Sequence, residues 1–288
     1  MPKNSSSKPL ASGRDWHKSV CRSAVTQRPS DLSDYVAVGP LSKRAPIDQY
    51  LAATEALVKL GGPAFFTGHS KLSGLMLVAV VSQAENYFRE LFSRLLVICP
   101  VSQGKSAQRD IKLGSVIWYR VGQLERGAFE HFSFASMDNI VDTLSRYFDI
   151  QIDQKSDPYA LLQQFDLLCE LRHAIVHSAG VVSGKNATKL QLKKTLDGVT
   201  VGVDFQCFQE VTQLCTALVC SMNIELFRKF GERWRDKWPS CFPPWTTRIA
   251  NTRFRALWSV FASSLDQASG LPSRQLTCAQ CQRELLSP

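Results

Sequence analysis

Residues 165–180 read FDLLCELRHAIVHSAG. Leu168, Leu171 and Ile175 recur at i, i+3 and i+7, the spacing of a helix that buries one face. Gly180 follows the last periodic residues, where helices commonly end in a left-handed turn. Asp166, Glu170, His173 and His177 fall at i, i+4, i+7 and i+11, so a helix places all four on one stripe. Arg172 precedes His177 by five residues. At about 100° per residue the two side chains diverge by roughly 140°. A guanidinium can hold two phosphate oxygens, and an imidazole titrates near neutrality and can carry a proton. The stretch therefore has the chemistry to bind a phosphodiester and move its protons.

Outward from this helix, the punctuation predicts an all-α chain. Asp157-Pro158 is a start signal for the Arg172 helix, an N-cap followed by proline. After Gly180, two short alternating stretches, 189–193 and 199–203, flank Leu196-Asp197-Gly198 and predict a small β-hairpin. Residues 205–230 return to helical spacing, with Gly231 as the expected stop. Upstream, Pro46 to Leu60 precedes Gly61-Gly62, and Lys71 to Cys99 is the longest helical candidate, closed by Pro100. Glu85 lies amid Val80, Val81, Ala84 and Phe88; a carboxylate there must find a partner or reach solvent. Val116, Ile117, Trp118 and Val121 suggest a helix loosened by Gly114 and Gly122, and Ser136 can cap a helix from Met137 to Phe148.

Three regions follow: a basic tail over 1–45, a helical domain over 46–230 and a basic, Trp-rich extension over 231–288. In the tail, Lys3, Lys8, Arg14, Lys18, Arg22, Arg28, Lys43 and Arg44 face only Asp15, Asp31 and Asp34, and periodicity is absent. Its composition predicts a mobile segment or an arm for nucleic acid. Between 228 and 255 eight basic residues oppose Glu232 and Asp236, with Trp234, Trp238, Trp245 and Phe254 interleaved. Basic side chains track phosphates and aromatic rings stack on unpaired bases. Arg233, Trp234, Arg235 and Lys237 are thus candidates for nucleic-acid binding; the alternative is a cap whose tryptophans pack on the bundle.

With 44% hydrophobic residues in 288, the chain can build a core. The longest apolar run, Leu75 to Val81, is far too short to span a bilayer, and no signal-like segment opens the chain. The expectation is a cytoplasmic protein with no membrane partner, whose nine cysteines are free thiols. A net charge of +9 favours acidic partners, nucleic acid foremost. No G-x-S-x-G elbow or phosphate loop is present. The Asp166–Glu170–His173–His177 stripe has the shape of a metal site, since His at i and i+4 can share an ion, but HExxH and a further ligand cluster are lacking. Cys278 and Cys281 form a lone CxxC, half a zinc site or two surface thiols. Cys169 reads as a small core residue.

Arg172-His173-Ala174-Ile175-Val176-His177 resembles the R-x4-H motif of the HEPN superfamily, over roughly residues 70–230. The likeness includes an inner acidic residue on a long helix (Glu85), the Ser136 helix start and a small residue and glycine after the motif. It is nearest to the stand-alone bacterial branch linked to toxin and antiviral systems. The resemblance implies a helical bundle and a metal-independent ribonuclease without cofactor. Arg172 and His177 would be catalytic, with His173 assisting, and Glu85 or Glu170 would orient Arg172. It implies RNA as substrate, a homodimer whose two motifs share a cleft, and an antitoxin or regulatory protein as a further partner. The alternative is a non-catalytic RNA- or protein-binding module, because the helix dipole alone favours cations at a helix C-terminus. An enzyme should present Arg172 and His177 in an open cleft; a structural cluster should have them paired and enclosed.

Overall fold

The computed structural model describes residues 19–22, 31–40, 42–119, 123–195 and 197–287. Lys3, Lys8, Arg14, Lys18 and Arg28 of the basic tail, and Val121, Gly122 and Leu196, lie outside them. The chain divides into two units, Met1–Ser42 and Lys43–Pro288. In the first, a 3-10 turn at Leu32–Tyr35 is capped by Asp31, which accepts the Ser33 N–H at 2.8 Å.

The second unit is all-α. It runs through α1 (Pro46–Leu60), α2 (Pro63–Gly68), α3 (Ser70–Ile98), α4 (Pro100–Ser106) and α5 (Leu113–Trp118). Next come α6 (Leu124–Gly127), α7 (Met137–Phe148), α8 (Asp157–Ser178), α9 (Gly184–Lys189) and α10 (Phe205–Asp236). It ends with α11 (Trp238–Cys241), α12 (Thr247–Phe261), α13 (Ser264–Ala268) and α14 (Cys278–Leu286). The proline and glycine signals set the bounds of α1: Pro46 opens it, and the Gly61 N–H closes it on Leu57 O. Ser136 caps α7 as its sequence implies, while α8 takes Ser156 as N-cap with Pro158 in its first turn. Ala179 and Gly180 both turn left-handed, and the Gly180 N–H reaches back to Ala174 O at 3.0 Å, ending α8.

Helix α3 is the axis of the bundle. Helices α1, α8, α10 and α12 all pack on it, and 75–97 runs beside 158–177. Val80, Val81, Ala84, Phe88, Leu91, Phe92 and Leu95 are fully buried along it, as its apolar face requires. Phe92, Phe129, Phe134 and Phe148 form a ring cluster that fixes the 128–134 segment and α7 against α3.

Two expectations fail. No hairpin forms: the described residues contain no strand. Ser183 caps α9 through the Asn186 N–H, so residues 184–189 become helix. Val199–Val203 instead touches the chain just after α8, with one isolated bridge between Val181 and Thr200. The second failure is the stop at Gly231. Helix α10 continues to Asp236 because its buried stripe, Phe208, Val211, Cys215, Leu218, Met222, Leu226 and Phe230, carries on to Trp234 at helical spacing. A Cβ on Gly231 would lie 3.3 Å from Leu285 of α14, so this glycine permits a close approach and does not end the helix. The boundary expected at 230 therefore falls inside a helix.

Asp48 of α1 ties the C-terminal segment down. It is buried and accepts hydrogen bonds from the Ser263 and Ser264 hydroxyls, both at 2.6 Å, and from the Ser264 N–H at 3.0 Å. Burial works against its charged form, but the hydrogen bonds outweigh it and hold the carboxyl below its ordinary 3.8. A depressed folded-state pKa adds stability that is complete above the unfolded value and is lost as pH falls through the folded one. The stability gap between wild type and Asp48→Asn, measured by urea unfolding, should be full at neutral pH and shrink below about pH 4. A gap that is constant into strong acid would show that Asp48 contributes through shape alone.

Candidate functional site

Helix α8 presents its motif residues to two different surroundings. Arg172 points at α3, where its Nη2 lies 3.6 Å from Glu85 Oε2. Glu85 is enclosed, with 11% of its side chain exposed, so the sequence ambiguity resolves toward a paired carboxylate. Its other oxygen, Oε1, accepts from Arg89 Nη2 at 3.0 Å, the Phe134 N–H at 3.2 Å and Ser133 Oγ at 3.4 Å. Arg89 also donates to Phe132 O at 3.1 Å and lies over the Phe134 ring. Glu85 thus carries two arginines and fixes the 132–134 loop. Arg89 was not among the sequence's candidate site residues, although its position four residues after Glu85 was a legible signal.

The acidic half of the stripe is occupied. Asp166 Oδ1 accepts the Met137 N–H at 3.0 Å, at the start of α7. Glu170 accepts from Lys189 Nζ and from Asn186 Nδ2, each at 2.6 Å. Burial pushes Glu170 up, but these two donors prevail and hold its carboxyl below the ordinary range. The Glu170 hydrogen bond in turn raises Lys189. Glu170 therefore locks α9 onto α8, and of the two carboxylates it is Glu85 that pairs with Arg172. Lys189 and Asn186 went unnoticed because the hairpin expectation concealed α9.

The other half of the stripe is open. His173 and His177 are exposed, with ring centroids 4.5 Å apart. Arg172 and the histidines thus emerge from different faces of α8, as the 140° divergence requires. Two concavities, of about 330 and 350 Å³, lie elsewhere: one by Asp149, Lys229 and Arg233, the other by Leu77, Leu168 and Val203. Neither is lined by Arg172, His173 or His177. Among the described residues no group of three or more His, Cys, Asp or Glu converges as a metal site. Cys169 is buried, and burial drives its thiol well above the ordinary range, which leaves it inert as a nucleophile.

The C-terminal candidates need correction. Trp234 is 1% exposed and packs edge-on against Phe254 at 4.8 Å, so it has no face for a base. Arg233 is buried as well, reaching Ser102 Oγ at 3.4 Å and Asp149 O at 3.2 Å across the Phe230 ring. The stripe of α10 carries both inward. Arg235 and Lys237 are exposed, and Arg235 is paired with its neighbour Asp236. Cys278 and Cys281 are free thiols on α14, half-buried against the core.

No family model, curated protein or solved structure matches the chain. Fold and site together define an all-α protein with a carboxylate-anchored arginine pair and, on another face of α8, an exposed histidine pair. No helix among the described residues is long and apolar enough to cross a membrane.

Proposed function

We propose that this chain is a metal-independent endoribonuclease of the HEPN kind, acting in the cytoplasm as a toxin or antiviral effector. The observation that supports it best is that Arg172 is anchored without being saturated. Its contact with Glu85 is 3.6 Å, beyond a hydrogen bond, and its Nε is buried with no partner among the described residues. A guanidinium committed to a structural role would form a two-pronged pair with its carboxylate. A quarter of the Arg172 side chain is exposed, and it is this outward part that can meet a phosphate.

In this reading the RNA 2′-OH attacks its own phosphorus while His177 takes the hydroxyl proton. The 2′-O–P bond forms, the P–O5′ bond breaks, and the leaving 5′-oxygen takes a proton from His173 or water. Arg172 holds the charge that builds on the phosphorane oxygens. Because Arg172 and His177 leave α8 on different faces, the site is completed by a second copy, with Arg172 from one chain and His177 from the other. An antitoxin or regulatory protein would act by covering that shared surface. The purified protein should cleave single-stranded RNA in EDTA, leave a 2′,3′-cyclic phosphate and spare DNA, and light scattering should show a dimer at working concentration or on adding RNA. Cleavage that stops in EDTA and returns with Mn²⁺ or Zn²⁺ would move the chemistry to the Asp166–His177 stripe.

A second reading has its own observation. Glu85, Arg89, Arg172 and the 132–134 loop form one enclosed network that fixes α3 against its neighbours. If that is its whole role, the chain is an RNA- or protein-binding module. Tight RNA binding without cleavage in either buffer identifies that case.

A further inference from the structure

Two guanidiniums share the one buried carboxylate of Glu85, Arg89 on Oε1 and Arg172 on Oε2. Their heads therefore lie side by side with one negative charge between them, a local balance of +1. The shared carboxylate and Arg89 are held from behind: Glu85 by the Phe134 N–H and Ser133, and Arg89 by Phe132 O and the Phe134 ring. Both keep an outward part, since 30% of the Arg89 side chain and 25% of the Arg172 side chain are exposed. Like charges held this close raise the energy of the empty site, and an anion that meets both relieves it. The same unit recurs along α3, where Glu90 carries Arg126 and Arg94.

We propose that Arg89 and Arg172 form a two-guanidinium fork that grips a phosphodiester of single-stranded RNA. This rests on the ribonuclease reading for its substrate and adds Arg89 as a binding residue of that site. Lone surface lysines make mobile point contacts. Arginines fixed on a buried carboxylate are preorganised and lose little freedom on binding.

The test uses the full chain and a short fluorescent 2′-O-methyl oligoribonucleotide, which lacks the attacking hydroxyl and stays intact during titration. Arg89→Ala should weaken binding about tenfold and lower the slope of log affinity against log salt by about one contact. Arg89→Lys should keep the slope but lose most of that affinity, because it keeps the charge and loses the fork. Arg89→Ala and Arg172→Ala combined should cost less than the sum of the two, as residues on one phosphate are coupled. Arg146→Ala, on a surface pair with Asp142, should bind as wild type does. Thermal melts accompany each titration, and if Arg89→Ala does not fold, Arg89→Lys and Arg89→Gln decide. Folded Arg89 variants with wild-type affinity and slope overturn the fork while cleavage stands. Wild type that grips the oligonucleotide through Arg89 yet cleaves no RNA overturns the ribonuclease reading and keeps the fork. Wild type that ignores the oligonucleotide overturns both.

Discussion

His177→Ala should lower cleavage of single-stranded RNA by about 10²–10⁴-fold and leave the melting temperature nearly unchanged. The first half follows from the proposed role of His177 as the group that takes the 2′-OH proton. The second follows from position: His177 is exposed near the end of α8, with its ring against that of His173, which is exposed as well. Surface substitutions away from caps and buried networks usually shift stability by less than about 0.5 kcal/mol. Arg172→Ala should match the loss of rate, but it also removes a partner of Glu85, so its melt must be measured beside its rate. His173→Ala should do less, because His177, the proposed base, is kept. Wild-type rates in a folded His177→Ala protein would remove this residue from the mechanism.

Trp234→Ala should destabilise the fold by about 3–5 kcal/mol, the usual cost of emptying a large aromatic site in a core. The indole sits among Phe254 and Trp245 at the far end of α10 and is 1% exposed. Trp234→Phe should cost much less. It keeps most of the ring volume and deletes an indole N–H that is buried without a partner among the described residues. RNA affinity should be unchanged in the Phe variant, since this ring has no face to offer a base. Weaker RNA binding by a fully folded Trp234→Phe protein would restore the stacking role that the sequence suggested.

Local signals were legible and long-range ones were not. Proline at Pro46, the Gly61-Gly62 pair, Ser136 and the Asp157-Pro158 start act through neighbouring backbone, and the helices begin and end within a residue or so of them. Gly231 carries the same local signal as a stop, but what decides its role is Leu285, more than fifty positions later. The alternation at 189–193 likewise lost to a serine cap and to Glu170, which draws Asn186 and Lys189 onto α8. In the 228–255 region charge and aromatics described composition correctly, yet the α10 stripe turns Arg233 and Trp234 inward while leaving Arg235 and Lys237 outside. The Arg172 site was half visible. Helical spacing gave the separation of Arg172 from His177, but only the packing of α3 on α8 shows that Glu85 holds Arg172 and that Arg89 shares it.

The uninterrupted run of α10 has a consequence for cooperativity. Its first turns pack on α8 and its last turns hold the tryptophan cluster, so neither end can open without breaking hydrogen bonds of the same rod. Helix of this length, about 48 Å, joins distant contacts into one all-or-none transition. Heating should therefore melt the arginine–histidine region and the C-terminal helices together, and a cut after residue 230 would sever the rod on which both depend.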